Sequence, residues 1–147
     1  MTPQNIKAVL TKIQDDNCKG DLDAIYQYIA DDYVFHRSPL PDTVGKEANR
    51  KGDEAMLTAF TNNRTTIHEI IVEGDTAVMH YTWQAVHSGI TPSLGVPPTG
   101  REVKLSGCMV YHWKGDKIIE QWDYTDMLGL MQQLGAVQRQ AAGRAAG

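Results

Sequence analysis

Glu120, Trp122 and Asp126 stand close together near the C-terminal end, and they include two carboxylates that could move protons. Lys117 to Asp123 reads as a short strand that follows the turn Lys114-Gly115-Asp116. Glu120 shares one side of that strand with Ile118 and Trp122, and that side is expected to be the buried one. A carboxylate placed there is costly unless it is paired or protonated. Arg37 or Arg101 would serve as its partner. Asp126 precedes Met127, Leu128, Leu130, Met131 and Leu134, a helical stripe closed by Gly135. As an N-cap it would be worth about 1 kcal/mol. As a pocket group it could take up or give up a proton. The two roles are compatible, and the sequence leaves its proton state open.

Two further strands contribute candidates. In 76–88 one parity carries Met79, Tyr81, Trp83, Ala85 and His87. It is the larger and more aromatic parity, so it faces inward, with His87 at the inner rim and His80 outside. In 101–113 apolar residues alternate, which turns Met109 and Tyr111 inward and His112 outward beside Lys104 and Ser106. His36 ends the strand Tyr33–Arg37, in phase with Val34. Asp126 and His87 are the candidates for moving protons, and His87 or Tyr111 could donate a hydrogen bond to a substrate oxygen. His36, Trp83, Met109, Tyr111, Glu120 and Trp122 are the candidates for contact with a substrate. Each also has a plainer reading, since buried aromatics build cores and a lone histidine at a strand end is a common surface group. No histidine pair has ligand spacing, and Cys18 and Cys108 show none either, so no metal is expected. No glycine-rich phosphate loop is present, and no cofactor is expected.

The elements that position these residues follow from periodicity. Helices are expected from Thr2-Pro3 to about Asn17, from Asp21 through Ile29, and near Lys51–Asn62. A short strand at Tyr33–Arg37 separates the second from the third. Strands Thr65–Glu73 and Thr76–Ser88 come next, joined by Gly74-Asp75, and then the pair already described. Helices early and strands late predict an α+β fold, with helices on the concave face of a bent antiparallel sheet. One domain over 1–136 is expected, with a tail at 137–147 rich in Ala, Gln, Gly and Arg.

Composition excludes several classes. The net charge is -4 and no run of Lys or Arg occurs, which argues against nucleic acid or an anionic membrane as partner. No apolar run reaches the ~20 residues of a membrane span. The first residues, Met-Thr-Pro-Gln-Asn-Ile-Lys, lack the apolar core of a secretion signal, and a cytoplasmic location is expected. Val78, Thr82, Val86, Ser106, Cys108 and Val110 would form an outer sheet face richer in apolar groups than solvent requires, so a homodimer is expected.

Leu94-Gly95-Val96-Pro97-Pro98-Thr99-Gly100-Arg101, Gly115-Asp116-Lys117-Ile118-Ile119-Glu120-Gln121-Trp122, Asp126 and Leu128-Gly129-Leu130-Met131-Gln132-Gln133-Leu134-Gly135 together resemble the SnoaL-like polyketide cyclases of the nuclear-transport-factor-2-like superfamily. The resemblance implies a cone-shaped α+β barrel with an apolar pocket between sheet and helices, often dimerised through the sheet. It implies acid–base chemistry on a small carbonyl compound, of cyclase or isomerase type, with the acid/base aspartate matched to Asp126. It also implies an imidazole beside that aspartate, whereas His112 phases outward here. The same scaffold would equally serve as a ligand-binding or dimeric interaction module without catalysis.

Overall fold

The computed structural model describes residues 1–138. The chain runs α1 (Pro3–Lys19), α2 (Leu22–Tyr26), β1 (Ile29–His36), β2 (Thr43–Val44), α3 (Lys46–Ala59), β3 (Phe60–Glu73), β4 (Thr76–His87), β5 (Glu102–Lys114), β6 (Lys117–Thr125) and α4 (Met127–Gln133). The fold is α+β, as the grouping of helices and strands predicts. Most of the expected tail, 139–147, lies outside the described residues.

Local chemistry sets the element ends. Thr2 caps α1, its hydroxyl accepting from the Asn5 amide at 3.2 Å, and Pro3 opens the first turn. Gly20 closes α1 at φ 74°, a left-handed conformation that suits glycine. Asp21 caps α2 through the Ala24 amide. Helix α3 begins five residues earlier than its apolar stripe suggests, because Gly45 breaks the chain there. β3 starts at Phe60, immediately after α3, instead of Thr65.

One sheet carries the order β2-β1-β6-β5-β4-β3 and is not closed. All neighbours are antiparallel except β1 and β6, which run parallel. That pair is the one departure from the antiparallel sheet expected, and it follows from β1 returning through α3 and three strands before β6 pairs with it. Irregularities bend the sheet. β3 shifts register against β4 between Thr61 and Arg64 and again between Ile67 and Glu69. Asn62 takes φ 53° at the first of these, a conformation Asn tolerates better than most residues. Such bulges increase local twist and curl the strand. Helices α1 and α2 close over the curved face, where Ile6, Leu10, Ile25, Met79, Tyr111 and Ile118 are buried together. A second cluster, including Phe60, Ala85, Leu105, Leu130 and Leu134, anchors α4 at the other end. Between them lies a cavity.

Candidate functional site

The cavity measures about 190 Å³, and both layers of the fold wall it. Sheet residues Tyr33, Arg37, Tyr81, Tyr111, Gln121 and Asp123 bring polar atoms to it, and Asp53 reaches it from α3. Apolar walls come from Ile13, Ile25, Leu57, Leu105 and Leu130.

Asp123 is the carboxylate that β6 delivers. It is only 3% exposed. Tyr81 donates its hydroxyl to Oδ1 at 2.8 Å, and Arg37 donates from Nη2 to Oδ2 at 3.0 Å. A buried charge of this kind persists only when paired and hydrogen-bonded, and both conditions hold. Burial, reinforced by the Asp123 charge, pushes the Tyr81 hydroxyl well above its usual range, so it stays a donor. Gly107 makes this contact possible. A Cβ there would stand 2.8 Å from the Tyr81 hydroxyl and 2.7 Å from the Tyr124 carbonyl oxygen. The missing side chain is the space the tyrosine crosses to reach Asp123.

A second group of donors converges on sulfur. Tyr111 donates its hydroxyl to Met109 Sδ at 2.9 Å, and Gln121 donates Nε2 to the same atom at 3.3 Å. The Gln121 carbonyl oxygen accepts from the Tyr33 hydroxyl at 2.8 Å. A thioether is a weak acceptor and methionine is flexible. A carbonyl oxygen in place of that sulfur would therefore be a better partner for both donors. Burial holds the Tyr111 phenol protonated.

Sequence candidates divide between the two faces of the sheet. Trp83, Met109 and Tyr111 line the cavity. Trp83 donates Nε1 to Asn63 Oδ1 at 2.8 Å. Glu120 and Trp122 do not line it, nor does His36. The cause is a β-bulge. His112 pairs with Glu120 but Trp113 pairs with Ile118, so Ile119 is an extra residue in β6. The inward phase that begins at Ile118 passes to Gln121 and Asp123, and Glu120 and Trp122 turn outward. On the outer face Glu120 meets histidine, not the arginine expected: His36 Nε2 lies 2.7 Å from Glu120 Oε1. His36 Nδ1 lies 2.9 Å from Asp42 Oδ1, and the ring stacks on Trp122 at 4.8 Å. The hydrogen bond to Glu120 has the largest effect and raises the His36 pKa; burial opposes it, and the hydrogen bond to Asp42 adds to the rise. His112 also stays on this face, edge-on to Trp122.

His87 is fully buried but away from the cavity walls. Its Nδ1 lies 2.9 Å from Thr99 Oγ1 and accepts from the Thr99 amide at 3.2 Å. The histidine thus pins the proline loop to the end of β4. Asp126 is exposed and caps α4, with Oδ1 accepting from the Gly129 amide at 2.8 Å. A Cβ on Gly129 would fall 2.2 Å from Asp126 Oδ2, so the cap and the glycine are matched. Asp126 does not line the cavity, and the aspartate at this strand end that does is Asp123. Sequence reasoning missed Asp123, Arg37, Tyr81, Gln121 and Asp53. The adjacent isoleucines 118 and 119 were the available sign of a phase change, since strict alternation would not place both on apolar ground. Among the described residues no cluster of His, Cys, Asp or Glu could hold a metal ion.

This fold is that of a known family. The profile of the SnoaL-like polyketide cyclases matches residues 8–134. The chain belongs to that family. AclR from Streptomyces galilaeus, described as a candidate hydroxylase, superposes with a TM-score of 0.83 at 23% identity, covering 96% of this chain and 87% of AclR. A SnoaL-like candidate polyketide cyclase from Jannaschia sp. CCS1 gives 0.82 at 20% identity, covering 93% of this chain and 97% of that one. Another candidate polyketide cyclase, from Acidithiobacillus ferrooxidans, gives 0.77 at 28% identity, with 92% and 99% covered. No curated protein matches the sequence.

Proposed function

We propose that this protein is an enzyme that moves protons on a small carbonyl compound held in the cavity, with Asp123 as the base. One observation carries the reading. A 3% exposed carboxylate faces an open cavity, next to two donors that point at a replaceable sulfur. Asp123 takes a proton from the carbon beside the carbonyl, and Tyr111 and Gln121 stabilise the oxygen that becomes an enolate. Asp123 thereby fills the role that the family resemblance matches to Asp126. Trp83 and Met109 shape the substrate side. Cyclase and isomerase chemistry both begin with this step. The homodimer and the cytoplasmic setting expected from sequence belong to the same proposal. No helix among the described residues is long and apolar enough to cross a membrane.

Benzylacetone in heavy water tests it. The wild-type protein should speed deuterium entry beside the carbonyl, and Asp123→Asn should abolish the effect. Failure of the wild type to exchange any such ketone would leave the second reading, a non-catalytic ligand-binding module. That reading is favoured by one fact: both Asp123 oxygens already have protein partners. It predicts that benzylacetone raises the melting temperature without being exchanged.

A further inference from the structure

The cavity has a second carboxylate on the opposite layer, and the reaction proposed for Asp123 leaves it unused. Asp53 projects from α3 and lines the same space. Its only hydrogen bond among the described residues is from the Tyr26 hydroxyl to Oδ2, at 2.6 Å. Oδ1 accepts none, and Asp53 forms no ion pair among those residues. The charged and titratable groups around it are few. Tyr26 comes from α2, and Tyr33 and Arg37 come from β1. Arg50 on α3 covers the Tyr26 ring, but its guanidinium is engaged by Asp23 and Glu54. Arg37 gives its hydrogen bond to Asp123 and leaves Asp53 only a distant attraction.

We propose that Asp53 is the second proton carrier of the cavity: the acid that protonates the oxygen of a carbonyl attacked in carbon–carbon bond formation, across from Asp123. The inference rests on Asp123 acting as base. The two carboxyls have different surroundings. Asp123 has a guanidinium partner; Asp53 has a neutral phenol. Burial raises the Asp53 carboxyl above its usual range, against the smaller pull of Tyr26 and Arg37. A guanidinium on one carboxyl and a phenol on the other, facing one cavity from opposite layers, place the two groups for different proton roles.

The step balances without an added reagent. Asp123 takes the proton of the C–H bond, whose electron pair becomes the enolate. The enolate carbon attacks a second carbonyl; the new C–C bond forms as the C=O π pair moves to oxygen. Asp53 gives its proton to that oxygen. Proton return from Asp123 to Asp53 through solvent restores both groups. The substrate class is a compound with two carbonyl groups close enough to join.

The aldol adduct of benzaldehyde and acetone reads both residues at once. In heavy water its hydrogens beside the ketone exchange, which needs Asp123 alone. Its cleavage to benzaldehyde runs the bond-forming step backward and needs Asp53 to take the hydroxyl proton. Asp53→Asn should lose cleavage by about 10²-fold or more and lose far less of the exchange, whose persistence also shows that it folds. Asp123→Asn should lose both. Equal cleavage in Asp53→Asn and wild type would overturn the role of Asp53 and leave Asp123 standing. Loss of exchange and cleavage together in Asp53→Asn would mark it as structural and overturn the proposal as well. A wild type that neither exchanges nor cleaves the adduct would remove the Asp123 reading and this inference with it.

Discussion

Arg37 leaves the end of β1 and donates to Asp123 on β6 at 3.0 Å, across 86 residues of sequence. The two strands are the parallel pair of the sheet, so the contact depends on the least predictable feature of the topology. It holds a charge inside the fold that would otherwise be expelled or neutralised. Removing one partner of a buried pair typically costs ~3–5 kcal/mol, because the other charge stays behind. Arg37→Ala is therefore expected to lower the melting temperature more than Asp123→Asn, which leaves a neutral amide able to accept from Tyr81. Thermal unfolding of the two variants checks the order.

Asp123 and Asp126 should separate cleanly by mutation. Asp126→Asn keeps a capping side chain, and Asn caps about as well as Asp. Its ketone exchange and melting temperature should match wild type. Asp126→Ala should cost about 1 kcal/mol, again with exchange intact. Asp123→Asn should lose exchange by about 10²-fold or more. A full loss of exchange in Asp126→Asn would return the acid/base role to the cap position.

Gly107→Ala places a methyl group where the Tyr81 hydroxyl and the Tyr124 carbonyl now stand, both under 3 Å away. The backbone carbonyl cannot yield as a flexible side chain would. Overpacking of this kind typically costs ~1–3 kcal/mol. The Tyr81 contact with Asp123 should break, and exchange should fall with it. Tyr81→Phe supplies the control, since it loses the hydroxyl without the clash.

How much of this was legible is a matter of periodicity and its interruptions. The β4 parity through Met79, Tyr81 and Ala85 is the buried one, because that strand is regular and covered on one face. The same logic fails on β6, where Ile119 adds a residue and every side chain beyond it changes face. The adjacent isoleucines 118 and 119 are the local sign of that bulge, set against a pattern in which Ile118, Glu120 and Trp122 otherwise alternate. Arg37 and Asp53 lay out of reach for another reason: their roles come from pairing across long sequence separation. The cap at Asp126 was legible because capping is local. Its carboxylate was matched to the acid/base position only by resemblance.

His36 has a carboxylate oxygen beside each ring nitrogen, Glu120 on one side and Asp42 on the other. Only the imidazolium donates from both nitrogens. Its folded pKa is raised, with the Glu120 hydrogen bond as the largest cause. The folded state thus holds the proton more tightly than the unfolded one. This stabilisation is complete below the unfolded value of about 6.5 and disappears as pH rises through the folded pKa. Melting temperature should therefore decline over that interval, and Glu120→Gln should reduce the decline. Proton NMR of the His36 ring should show its titration moving back toward the ordinary value in the variant.

The outer face carries the last prediction. Across the sheet Ile71 pairs with Val78, Val78 with Val110, and Val110 with Trp122. These residues form one row over four strands, on the side that the helices leave uncovered. Ile71 is 57% exposed, and Tyr124, on the same face opposite Cys108, is also 57% exposed. An apolar row of this length suits an isologous contact, in which the same patch of a second copy supplies the complement. A stable interface of this type buries roughly 800 Å² per partner. Sedimentation at micromolar concentration should give a dimer. Val110→Lys, in the middle of the row, should shift it to monomer and leave the cavity side, with its Arg37–Asp123 pair, unchanged. A wild type that sediments only as monomer would show that the row is simply exposed.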